Sequence, residues 1–103
     1  MPDTLKGAEV ERLVATFPGW SLADDGGSVS AELRFASFAD AWGFMSEIAI
    51  EADKLDHHPE WSNVYNRVVI KLTTHDADGL SARDQALADR IAAALERRSY
   101  ASD

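Results

Sequence analysis

Val10, Leu13, Val14 and Phe17 recur at steps of three and four, the spacing that turns one face of a helix toward a core. Pro18-Gly19 is the expected stop. Trp20 to Ala23 then reads as a short strand, and Asp24-Asp25-Gly26-Gly27 as a turn, because Asp and Gly tolerate turn geometry. Val29, Ala31, Leu33 and Phe35 alternate with Ser30, Glu32 and Arg34, the period of a half-buried strand. The two strands predict a hairpin. Ser37, with Asp40 three residues on, predicts a capped start to a second helix. Its apolar stripe reads Phe38, Ala41, Trp42, Met45, Ile48, Ala49 and Ala52. Phe44 and Ile50 fall off that stripe, which predicts cover on more than one side, and Trp42 within it reads as plain core. The pattern fades near Leu55.

After Pro59 the pattern changes period. Trp61 to Val64 predicts a short strand, Tyr65-Asn66 a tight turn, and Val68, Ile70 and Leu72 the buried side of a second hairpin partner. Asp76-Ala77-Asp78-Gly79 reads as a loop. Ser81 with Asp84 predicts another capping box, opening a last helix with Leu87, Ile91, Ala94 and Leu95 inward. Ser99 to Asp103 reads as a frayed tail. The order helix, hairpin, helix, hairpin, helix predicts an α+β fold: a four-stranded antiparallel sheet with helices packed on one face. No internal repeat, low-complexity tract or interdomain linker interrupts it, so residues 1–103 read as a single domain.

Composition narrows the function. At 103 residues with 46% apolar and 27% charged side chains, the chain suits one globular domain. A domain of this size buries a limited share of its surface, so a homodimer or homotetramer is expected to help it. Ten basic residues against eighteen acidic give a net charge of −8, and the densest basic run is Arg97-Arg98. That is no footprint for nucleic acid. The absence of cysteine excludes disulfides, a thiol nucleophile and thiolate metal sites. The opening Met1-Pro2-Asp3-Thr4-Leu5 has neither the basic start nor the apolar run of a signal peptide, and no apolar stretch approaches the ~20 residues a bilayer demands. A cytoplasmic protein without membrane contact is expected.

All three histidines fall between positions 57 and 75, in His57-His58-Pro59-Glu60-Trp61 and at His75. Histidine ordinarily exchanges protons near pH 6.5, so the cluster points to proton transfer. Pro59 biases His58 toward extended backbone, where neighbours point oppositely, so the pair is expected to do two different jobs. If the second hairpin turns at Tyr65-Asn66, the chain near Trp61 lies beside Thr73–His75 and all three rings reach one pocket. Any one histidine alone would more often be an ordinary surface or core residue; convergence at one sheet edge shifts the balance. Adjacent histidines rarely both reach one ion, so a metal site is disfavoured. Asp53 lies one helical turn before His57 and is expected to orient it, although a solvated acid is the plainer reading. Asp84 doubles as a helix cap and a carboxylate that a histidine can meet. Trp20 and Trp61 offer flat walls for a heterocycle, or ordinary core.

From Asp53 onward the chain resembles the pterin-4a-carbinolamine dehydratase family, also called dimerisation cofactors. The family's pattern is an acidic residue, three spacers, His, His or Asn, and usually Pro. Five or six spacers and an aromatic follow, then nine spacers, a His, and at least eight more before an Asp. Asp53, His57, His58, Pro59, Tyr65, His75 and Asp84 meet every element. Pro18-Gly19-Trp20, Phe35, Phe38 and Trp42-Gly43-Phe44-Met45 extend the likeness upstream, and the first helix is its loosest part. Asp at position 53 is shorter than the Glu that can stand there.

The resemblance implies a four-stranded α+β fold and a hydro-lyase. Water leaves a 4a-hydroxytetrahydropterin (4a-hydroxytetrahydrobiopterin in tetrahydrobiopterin recycling) to give the quinonoid dihydropterin, without metal or organic cofactor. It implies His57 and His75 as the acid/base pair, His58 as a pterin-contacting and assisting residue, and Asp53 and Asp84 as acids that orient histidines. Asp56, Trp20, Trp61 and the Thr73-Thr74 backbone are implied to bind and line the pocket. A functional link to an aromatic amino-acid hydroxylase follows from the same likeness. Its alternative is a non-catalytic dimeric interaction module, or a scaffold like a transcriptional coactivator.

Overall fold

A computed structural model describes residues 3–102. Three helices, α1 (Ala8–Val14), α2 (Phe38–Leu55) and α3 (Ala82–Glu96), are interleaved with strands β1 (Ser21–Leu22), β2 (Val29–Arg34), β3 (Glu60–Val64), β4 (Arg67–Leu72) and β5 (Ala101–Ser102). The sheet is antiparallel in the order β1-β2-β4-β3, and β5 pairs with β2. The expected α+β architecture is present with one strand more. Of the tail expected to fray, Ala101–Ser102 instead return to β2, where Leu33 faces Ser102 and Arg34 faces Ala101, while Asp103 lies outside the described residues. Tyr100 helps to anchor it, its ring 5.8 Å from that of Phe17.

Period-2 alternation places the core. Val29 pairs with Leu72, Ala31 with Ile70 and Leu33 with Val68, and all six side chains are buried. The helices cover this face with Leu13 from α1, Phe44 and Ile48 from α2, and Leu87, Ile91 and Leu95 from α3. On the alternate positions Glu32 pairs with Arg67 and, at 3.4 Å, with Arg34.

The stripe expected on α2 is corrected. Ala41, Phe44, Ile48 and Ala52 are its buried residues, whereas Phe38 and Trp42 are 49% and 55% exposed. At about 100° per residue Phe38, Trp42 and Ala49 lie roughly a quarter turn around the helix from the buried line. One sheet face admits one stripe, and the line carrying Phe44 and Ile48 takes it. Phe38 and Trp42 stack on each other in solvent, centroids 6.1 Å apart. Further along α2, Glu47 holds both Arg97 and Arg98, tying the end of α3 to the middle of α2.

Both capped starts are present. Ser37 Oγ accepts from the Asp40 amide at 3.1 Å, and Ser81 with Asp84 forms a capping box at α3. None of the described helices is long and apolar enough to cross a membrane.

Candidate active site

The end of α2 sets the site. Asp56 adopts the left-handed conformation (φ 51°), and the His57 amide turns back to donate to Ala52 O at 3.1 Å. That reversal closes the helix and separates the two histidines. His57 is 9% exposed, whereas the His58 side chain is 63% exposed. Two adjacent histidines therefore occupy different surroundings, as the Pro59 argument expected.

His57 meets the start of α3. Its Nε2 lies 2.6 Å from Asp84 Oδ1, and Asp84 is fully buried. The other carboxylate oxygen accepts from Thr74 Oγ1 at 2.6 Å and from the Ser81 amide at 2.9 Å. Thr74 spends its only hydroxyl proton on Asp84, so in its 2.7 Å contact with Ser81 Oγ it accepts, and Ser81 donates. Ser81 Oγ in turn accepts from the Arg83 amide at 3.2 Å. Each donor in this chain points toward Asp84. A carboxylate surrounded by donors accepts the His57 Nε2–H, which leaves Nδ1 as the ring nitrogen without a partner among the described residues. Burying such a carboxylate is costly unless its hydrogen bonds are complete, and here three of them meet it.

A cleft of about 230 Å³ opens beside His57. His58 and His75 line it too, together with Asp56, Thr73 and Thr74, so the convergence expected of the second hairpin is present. His75 starts a single 3₁₀ turn (His75–Ala77) just past β4, and its Nε2 lies 3.3 Å from Glu60 on β3. Three residues stand elsewhere than the sequence led one to expect. Asp53 approaches His58, at 3.9 Å, and not His57; it stays on the exposed side of α2 while the Asp56 reversal carries His57 inward. Trp20 does not line the cleft: it is buried edge-on against Phe17, and its Nε1 donates to Thr16 at 3.2 Å. Trp61 faces Ile70 across β3–β4 and packs on the core, also away from the cleft lining.

Sequence reasoning missed Glu60, Asp76 and Arg83 in the cleft wall, and Thr74 and Ser81 hydroxyls as supports of Asp84. The capping-box spelling Ser81–Asp84 was the available signal for the last of these. Among the described residues no three His, Asp or Glu side chains gather in a metal-holding arrangement.

The family model for pterin 4 alpha carbinolamine dehydratase matches residues 3–94. The chain belongs to that family. A Novosphingobium aromaticivorans protein provisionally named pterin-4-alpha-carbinolamine dehydratase is 57% identical over 84 residues, 82% of this chain and 88% of the relative. A Rhizobium rhizogenes protein of the same provisional name is 48% identical over 97 residues, 94% and 96% of the two chains. Among solved structures, the Brucella melitensis transcriptional coactivator/pterin dehydratase superposes with a TM-score of 0.82 at 36% identity, covering 89% of this chain and 98% of that one. The dehydratase-family fold therefore carries the histidine cleft at the end of its sheet.

Proposed function

We propose that the chain dehydrates a 4a-hydroxytetrahydropterin to the quinonoid dihydropterin, with His57 as base and His75 as acid. The observation that carries this is the buried His57–Asp84–Thr74 relay, which opens on a cleft shared with His58 and His75. As the C4a–O bond breaks, the electron pair of the adjacent ring nitrogen forms a C=N bond. The departing hydroxyl takes a proton and leaves as water, and a base removes the proton held on nitrogen. His57 suits the base, because Asp84 orients the ring and Nδ1 is left to accept. His75 suits the acid, because its exposed ring regains its proton directly from solvent. His58, Asp56 and Arg83 are left to position the ring system in the cleft. Positioned acid–base groups contribute about 10²–10⁴-fold each. His57→Ala and His75→Ala are each expected to slow dehydration by about that factor in a stopped-flow absorbance assay. Unchanged turnover in both would remove the mechanism. Tetrahydrobiopterin recycling behind an aromatic amino-acid hydroxylase, in the cytoplasm, is the setting this chemistry fits.

A second reading, self-association, rests on a separate observation. The stacked Phe38–Trp42 pair exposes two large aromatic rings on α2, and Ile50 is exposed further along the same helix. Exposed apolar groups of this size mark contact surfaces. A homodimer or homotetramer that covers them is the assembly we propose, and it is compatible with catalysis.

A further inference from the structure

The segment ahead of α1 crosses the loop that joins His75 to the support of His57. That loop, residues 75–81, runs from the 3₁₀ turn to Ser81, the cap of α3 that holds Asp84. The Thr74 amide closes its neck on Gly79 O at 2.8 Å, and Ala77 and Leu80 are buried within it. Two hydrogen bonds reach it from the crossing segment. Thr4 Oγ1 donates to Ala77 O at 2.7 Å, and the Leu5 amide donates to Leu80 O at 2.7 Å. Thr4 Cγ2 would stand only 3.1 Å from a Cβ placed on Gly79, so the two stretches pass closely between these bonds. The crossing segment is itself anchored. Leu5 packs on the core, and the Lys6 amide donates to Glu9, in the first turn of α1, at 3.2 Å.

Each bond lands on a peptide that the site uses. A trans peptide is planar, so its C=O and N–H point in opposite directions and move together. The peptide whose oxygen meets Leu5 carries the Ser81 N–H, which donates to Asp84 Oδ2 at 2.9 Å. Leu5 therefore polarises the Ser81 amide toward Asp84 and fixes the plane in which it donates. Asp84 Oδ1 lies 2.6 Å from His57 Nε2, so three hydrogen bonds link Leu5 to His57. The peptide whose oxygen meets Thr4 carries the Asp78 N–H, which donates to His75 O at 3.0 Å and closes the 3₁₀ turn. We propose that Thr4 and Leu5 are positioning residues that brace both halves of the acid/base pair from outside the cleft. The proposal rests on the dehydration reading of that cleft.

Neither Thr4 nor Leu5 lines the cleft, and neither do Ala77 and Leu80. Loss of the brace is therefore expected to act on turnover and not on substrate binding. A displacement of about 1 Å at a reacting group can slow a step by up to about a hundredfold.

Three variants of the full chain test this. Thr4→Val removes the hydroxyl at nearly constant shape, Thr4→Ser keeps it, and Leu5→Pro removes the amide proton. Thr4→Val and Leu5→Pro are each expected to lower kcat for the 4a-carbinolamine by about tenfold, with KM within about twofold of wild type. Thr4→Ser is expected to retain wild-type kcat. Amide hydrogen exchange reads the brace without substrate. Asp78 is expected to exchange about tenfold faster in Thr4→Val, and Ser81 about tenfold faster in Leu5→Pro, with Ile70 in β4 unchanged. Wild-type kcat in both Thr4→Val and Leu5→Pro overturns the proposal. So does an equal rise in exchange at Ile70, the mark of general destabilisation, or a Thr4→Ser chain as slow as Thr4→Val. If the wild-type chain does not turn over the carbinolamine, the dehydration reading falls by itself. Exchange raised at Asp78 and Ser81 alone then upholds the brace, and unchanged exchange overturns it.

Discussion

Asp84→Asn tests the site more sharply than deleting a histidine. Three donors converge on the Asp84 carboxylate: His57 Nε2–H, the Thr74 hydroxyl and the Ser81 amide. Asparagine keeps the shape but supplies one acceptor oxygen and one NH2 group. The Ser81 amide cannot reverse its role, whereas the His57 ring can move its proton to the other nitrogen. The arrangement of lowest cost therefore turns the amide oxygen toward Ser81 and Thr74 and the NH2 toward His57. His57 Nε2 then accepts, and its proton shifts to Nδ1, the atom that the mechanism needs free. The fold is expected to survive, because two of the three bonds persist. Turnover is expected to fall by about 10²–10⁴, the share that a positioned base supplies. Nitrogen-15 NMR of the imidazole, recorded on folded protein at alkaline pH, reads the tautomer without any substrate. It is expected to show Nε2–H in the wild type and Nδ1–H in the variant. The same tautomer in both, or wild-type turnover with the proton on Nδ1, would refute the reasoning.

Two further outcomes follow from contacts outside the cleft. Burial pushes the Glu47 carboxyl up, but hydrogen bonds and charge from Arg97 and Arg98 outweigh it and hold the group below its ordinary value of about 4.5. Its contribution to stability is therefore complete above that value and lost as pH falls through the lower, folded-state one. Glu47→Gln is expected to cost about 0.2–1 kcal/mol at pH 7, with the gap in Tm to wild type closing toward pH 3; a gap independent of pH would count against the pairing. Trp42→Ala removes one exposed ring of the stacked pair. It is expected to change monomer stability by less than about 0.5 kcal/mol while shifting sedimentation toward a smaller species. Unaltered sedimentation would exclude this face from any assembly.

Most of the fold was legible because two local signals agreed: period-2 alternation at Val29–Phe35 and Val68–Leu72, and capping serines at positions 37 and 81. What local signals could not supply was the choice between competing partners. On α2, two apolar lines compete for one sheet face, and only packing decides that Phe44 enters while Trp42 stays out. Asp53 looked like the partner of His57 because it is one turn away along the chain. One left-handed residue, Asp56, redirects His57 to an acid 27 positions distant. The histidine cluster itself could be read from position alone. Its support by Thr74 could not, since one hydroxyl resembles another until folding places it against a buried carboxylate. β5 escaped notice because two residues carry too little pattern to register.

The capping box of α3 has a thermal consequence. Local opening belongs to segments with few buried contacts and exposed hydrogen bonds, and this helix start is the opposite: Leu80, Ser81 and Asp84 are buried and the cap is complete. In this chain that turn is also the scaffold of Asp84: if Ser81 lets go, the carboxylate loses its amide, and the Thr74 hydroxyl loses the partner that braces it. The durability of the site is then tied to the core around it. On warming, the His57 ring is expected to come adrift only as the domain opens, so inactivation and unfolding are one event.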